Sequence, residues 1–117
     1  MLDNSPGAPP FVSVGAIKTE LVRRGTGSPL LFLHPEIGLS PNAPAIDRLA
    51  ARFSVVAPSL PGYGHTDMPR SFSTVDDLAY FILDLIETLD LKDLVLVGVS
   101  LGGWVAAEIG PEICNAC

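Results

Sequence analysis

Apolar residues in this chain come in short runs separated by Gly, Pro, Asn, Asp and Ser, and the period within each run predicts the element it forms. Phe11 to Val14 and Ile17 to Val22 alternate with period two around Gly15, so they predict an opening hairpin. Gly25-Thr26-Gly27-Ser28-Pro29 is a turn cluster. The run behind it, Leu30 to Leu33, is apolar at every position, as expected of a strand covered on both faces of a parallel sheet. Asn42 to Arg52 sets Ile46, Leu49 and Ala50 at helical spacing, with Asn42 as the expected cap. Phe53 to Ala57 predicts another strand, closed by Pro58.

The strongest helical pattern runs from Thr74 to Leu89, where Leu78, Phe81, Ile82, Leu85, Ile86 and Leu89 share one face. Ser73 or Thr74, with Asp76 or Asp77 three residues on, offers its cap. Leu94 to Val97 predicts a further strand. Leu101 to Ile109 predicts a helix, which Gly110-Pro111 is expected to stop. Strands alternating with helices predict an α/β fold whose mostly parallel sheet carries helices on both faces. Residues 1–10, with Pro6, Pro9 and Pro10, are expected to be a flexible lead-in to a body over 11–109, and 110–117 an atypical tail.

Composition narrows the partners. The 117 residues are 48 % hydrophobic and 17 % charged, enough apolar content for a folded core. Seven Lys and Arg against 13 Asp and Glu give a net charge of −6, so the chain lacks the basic surface that nucleic-acid or anionic-membrane binding rests on. Cys114 and Cys117 sit together at the end, too close for a disulfide framework, and their C-x-x-C spacing without a second pair or nearby His does not make a metal site. The uncharged stretch from Leu94 to Ala107 is 14 residues and falls short of a membrane span. With no basic-apolar leader, the expected location is cytoplasmic. Nothing in the pattern calls for a cofactor.

Between the strand ending at Val97 and the helix starting at Leu101 stands Gly98-Val99-Ser100-Leu101-Gly102, a G-x-S-x-G in the strand-turn-helix setting that motif needs. A turn this tight is expected to strain the central backbone and to require glycine where a Cβ would meet the neighbouring chain. It lifts the Ser100 hydroxyl off the sheet and sets it at a helix amino end, where free N–H groups favour developing negative charge. Leu101 N–H is then an oxyanion donor. Neither a dinucleotide fingerprint nor a P-loop fits, since Gly102-Gly103-Trp104 supplies no Lys-Ser/Thr pair.

Three stretches together resemble the α/β-hydrolase family: the elbow Gly98 to Gly103, the strand and loop Leu31-Phe32-Leu33-His34-Pro35-Glu36-Ile37-Gly38, and the loop Leu60-Pro61-Gly62-Tyr63-Gly64-His65-Thr66-Asp67. The resemblance runs from Phe11 to Ile109. It implies a serine hydrolase that cleaves a small ester, thioester, amide or activated carbon–carbon bond through an acyl-enzyme. Ser100 is then the nucleophile, with Leu101 and Glu36 as backbone oxyanion donors. Gly98, Gly102, Gly103, His34, Gly62 and Gly64 hold the motifs. Pro35 replaces the family's usual Gly and bears on the second donor, and Ser59 replaces a frequent Asp, which predicts the loss of a structural contact.

Such chemistry needs an imidazole base and a carboxylate to orient it, in chain order Ser, acid, His. Only 17 residues follow Ser100, and they hold Glu108 and Glu112 but no histidine. His34 and His65 lie in structural motifs, and Glu108 points along a helix. Trp104 is expected in the core, and Tyr63 as a loop anchor. The chain therefore reads as the amino-terminal portion of such a fold, the product of a truncated or frame-shifted gene, inactive or nearly so alone. The alternative is a non-catalytic binding protein on the same fold, self-associating through an unpaired sheet edge.

Overall fold

The computed structural model describes residues 11–39 and 43–113. Five strands, β1 (Phe11–Val14), β2 (Ile17–Arg24), β3 (Pro29–Leu33), β4 (Ser54–Pro58) and β5 (Val95–Gly98), and three helices, α1 (Ala43–Ala50), α2 (Val75–Thr88) and α3 (Leu101–Ile113), follow in the order β1-β2-β3-α1-β4-α2-β5-α3. The strands form one sheet in the order β1-β2-β4-β3-β5. β3 runs parallel to β4 and β5, with Leu30 opposite Val55 and Leu31 opposite Leu96. The hairpin β1–β2 joins antiparallel, so the sheet is mixed at that end.

β2 continues past Val22 because Arg23 and Arg24 complete the ladder with Val56 and Val55. Arg24 then reaches α1, where its Nη1 donates to Asp47 Oδ1 at 2.7 Å. Pro58 closes β4 from inside the strand, opposite Leu21, a terminal position where a missing N–H is tolerated. The expected Asn42 cap of α1, the lead-in 1–10 and Cys114 to Cys117 lie outside the described residues.

Period two sorts the β3 side chains between two cores. Leu31 and Leu33, with Val56 and Leu21, pack beneath α2 and α3 through Phe81, Ile82, Leu85, Val105 and Ile109. Leu30 and Phe32, with Val55 and Ala57, pack against Ile46 of α1 on the other face. Helices therefore cover both faces, and the uniformly apolar run of β3 is explained by burial on each.

Thr74 caps α2 in a capping box. Its hydroxyl accepts the Asp77 N–H, and the Asp77 carboxylate accepts the N–H groups of Ser73 and Thr74. Those donors hold the Asp77 carboxyl below its ordinary value. Thr74→Ala is expected to lower stability by about 1 kcal/mol, read as a parallel shift of the urea midpoint.

Two expectations are corrected. α3 passes through Gly110-Pro111 to Ile113. Gly110 does not take up the left-handed backbone with which glycine ends helices, and proline in the last turn removes only the bond to Ala107. Trp104 is 58 % exposed, not core. Val105 and Ile109 set the buried stripe of α3, and at 100° per residue Trp104 falls outside it. Among the described residues no helix is long and apolar enough to cross a membrane.

Candidate active site

β5 stops at Gly98 because the chain must turn onto the sheet within two residues. Val99 N–H donates to Leu33 O at 3.1 Å, and Ser100 takes φ of +54°, a left-handed backbone that disfavours side chains. Gly102 N–H then returns to Val99 O, and Trp104 N–H donates to Ser100 O at 3.0 Å, starting α3. A Cβ on Gly102 would run into the carbonyl oxygen of Leu33, and one on Gly98 would lie 2.7 Å from Gly103 Cα. The helix thus sits directly on the ends of β3 and β5. Ser100 is exposed at its amino end.

The loop after β3 meets it there. Gly38 N–H donates to Pro35 O at 2.9 Å, closing a turn that carries Glu36 at its first central position. Pro35 is accommodated because this turn uses its carbonyl and needs no N–H from it. Leu101 N–H points at Glu36 Oε1 at 3.5 Å. Hydrogen bonds from the Ser100 hydroxyl, first, and then from the N–H groups of Glu36 itself and Leu101 hold the Glu36 carboxyl below its ordinary value. Ser100 and Leu101 therefore meet the Glu36 turn through the Glu36 side chain. The sequence signalled this only as an acidic residue beside an expected oxyanion donor.

With its folded-state pKa depressed, Glu36 favours folding while ionised, and this contribution is lost as pH falls through the folded pKa. The Leu101 amide resonance is accordingly expected to titrate below the ordinary glutamate range. A midpoint within or above that range would contradict the contact.

His34 is buried, and both ring nitrogens are engaged. Nε2 accepts the Leu60 N–H at 2.9 Å, which leaves Nδ1–H to donate to Pro35 O at 2.7 Å. Burial pushes its pKa down. Tyr63 meets the imidazole edge-on, with ring centroids 4.7 Å apart. This histidine ties the β3 loop to the β4 loop and has no nitrogen left for a serine proton.

Glu20 supplies what Ser59 was expected to lack. Ser59 Oγ donates to Glu20 Oε1 at 3.3 Å, and the same oxygen accepts the His65 N–H at 3.2 Å. Gly64, at φ +53°, lies against this carboxylate so closely that a Cβ would strike it. Thr66 Oγ1 accepts the Glu20 N–H, and Asp67 accepts the Lys18 N–H, so the whole loop is laced to β2. Sequence reasoning missed Glu20, since it occupies an ordinary exposed-type strand position 39 residues from Ser59. Gly62, at φ +90°, shapes the same loop. His65 and Glu108 are exposed. Among the described residues no cluster of His, Cys, Asp and Glu could hold a metal ion.

Residues 27–116 match the model of the Alpha/beta hydrolase family. An uncharacterized protein of Mycobacterium tuberculosis is 34 % identical over 91 % of this chain and 31 % of its own length. The 2-(acetamidomethylene)succinate hydrolase of Mesorhizobium japonicum is 35 % identical over 78 % of this chain and 33 % of its own. A solved meta-cleavage product hydrolase from Pseudomonas fluorescens superposes with a TM-score of 0.75 at 25 % identity, over 87 % of this chain and 39 % of that one. This chain spans about a third of the length of the curated relatives it matches.

Proposed function

Because the chain belongs to the alpha/beta hydrolase family, we propose that Ser100 is the nucleophile of a serine hydrolase acting on carboxylic esters or related acyl compounds. The observation that carries this reading is the left-handed backbone of Ser100 at the strand-to-helix turn, held by glycines that tolerate no Cβ. Strain of this kind persists only where surrounding packing enforces it. Its effect is to present the hydroxyl at the start of α3, beside the Leu101 N–H.

Ser100 Oγ attacks the substrate carbonyl carbon and its proton passes to an imidazole. The carbonyl oxygen becomes an oxyanion between the N–H groups of Leu101 and Glu36. Collapse expels the alcohol, which takes the proton from the imidazole, and water then repeats the sequence to release the acid. His34 has no nitrogen free for this task. The reading assigns the base and its carboxylate partner to sequence outside these 117 residues, which span about a third of the length of the curated relatives they match.

The test joins residues 1–109 to the carboxyl-terminal remainder of the Mesorhizobium japonicum hydrolase and follows p-nitrophenyl acetate. Turnover is expected in the fusion and is expected to vanish with Ser100→Ala. The unfused chain is expected to match its own Ser100→Ala variant. Fusion activity that survives Ser100→Ala would refute the assignment of the nucleophile.

A further inference from the structure

The donor set expected to receive a substrate's oxyanion already has an occupant. Leu101 N–H lies 3.5 Å from Glu36 Oε1, a carboxylate oxygen from a turn 65 residues away in sequence, and Ser100, which stands beside Leu101, contributes to keeping that carboxyl ionised. A carboxylate oxygen carries the negative charge that an oxyanion would bring, and helix amino ends favour either. As a general base for Ser100 it is poorly suited, because donors that stabilise the anion weaken its pull on a serine proton. The Leu101 contact is long at 3.5 Å, so an incoming oxygen can take the donor at little cost.

Building on the assignment of Ser100 as nucleophile, we propose that the Glu36 side chain is an internal occupant of the oxyanion site, which a substrate's carbonyl oxygen must displace before Ser100 can attack. Glu36 is exposed and its turn leaves the side chain room to swing into solvent. Once displaced, its charge stays at the mouth of the site. Acyl groups carrying a carboxylate near the scissile bond are disfavoured by that charge, and neutral or cationic ones are admitted. Glu36 is thus a positioning and specificity residue with two parts: its N–H serves the transition state and its carboxylate screens what reaches it.

Acetate, a small carboxylate, reads the vacancy without requiring catalysis. In an amide NMR titration of the 117-residue chain, about 100 mM acetate, the range for a weak single-site anion, is expected to leave the Leu101 resonance of the wild type in place. In Glu36→Ala the same resonance is expected to shift saturably. Glu36→Gln keeps the side chain's size and one acceptor without the charge, and is expected to yield to acetate at intermediate concentrations. Equal shifts in wild type and Glu36→Ala, or no shift in Glu36→Ala, would overturn the proposal. Because the readout is independent of turnover, it can fail while Ser100 remains the nucleophile, and it can succeed while ester hydrolysis fails.

Discussion

Gly102→Ala is expected to lower the melting temperature of the chain by more than about 15 °C, or to prevent folding. The added Cβ meets the carbonyl oxygen of Leu33 and lies 2.8 Å from that of His34. Both are backbone atoms at the end of the central strand, where Leu33 pairs with Gly98 and its carbonyl accepts the Val99 N–H, and where the His34 ring is hydrogen-bonded at both nitrogens, so neither can retreat. Overlap of this kind belongs to the exceptional class of single substitutions that cost upwards of about 4 kcal/mol, and at ~4–8 °C per kcal/mol for a domain near this size the shift follows. Gly103→Ala is the contrast. Its Cβ would lie 3.3 Å from Gly98 O, a tight but adjustable contact. The better helix propensity of alanine, worth about 1 kcal/mol, offsets it, and the melting temperature is expected to stay within a few degrees. Thermal unfolding followed by circular dichroism decides the pair, and similar shifts for both would refute the idea that the Gly102 contact sets the elbow.

Ser100 is expected to affect rate and stability in opposite directions. In the fusion, Ser100→Ala removes the attacking oxygen and is expected to lower turnover by at least about a thousandfold, the order seen when one member of such a unit is lost. In the 117-residue chain Ser100→Gly is expected to raise stability by about 1 kcal/mol, because glycine adopts φ of +54° without the penalty a Cβ brings. Ser100→Ala keeps that penalty and is expected to leave the melting temperature near that of the wild type. A destabilising Ser100→Gly would mean that the left-handed backbone is not strained, which would remove the observation supporting the functional reading.

Much of the scaffold was legible because its signals are local. The face of α2, the capping box at Thr74, and the all-apolar β3 depend on neighbours within one or two turns or on simple alternation. Helix α3 departed from expectation because the Gly110-Pro111 signal describes a tendency, and Gly110 kept helical backbone. Trp104 departed because residue type suggested burial, whereas the phase set by Val105 and Ile109 turns it to solvent.

At the site, legibility followed sequence distance. The glycines of the elbow announced a turn without room for side chains, and the structure shows what stands in that room: Gly103 beside Gly98, and the Leu33 carbonyl beside Gly102. The role of the Glu20 carboxylate could not be read, since nothing in a strand of alternating residues marks one carboxylate as the partner of a distant serine.

By itself the sequence determined the elements, the hairpin, the two-faced central strand and the glycine-bounded serine, because periodicity and backbone sterics act over a few residues. Only the tertiary structure decided that β3 lies between β4 and β5, which brings the Glu36 turn to the amino end of α3. It also decided that His34 is consumed as a clamp between two loops. Contacts spanning 26 and 65 residues are products of chain closure around a sheet, and no local pattern encodes which donor meets which acceptor once it closes.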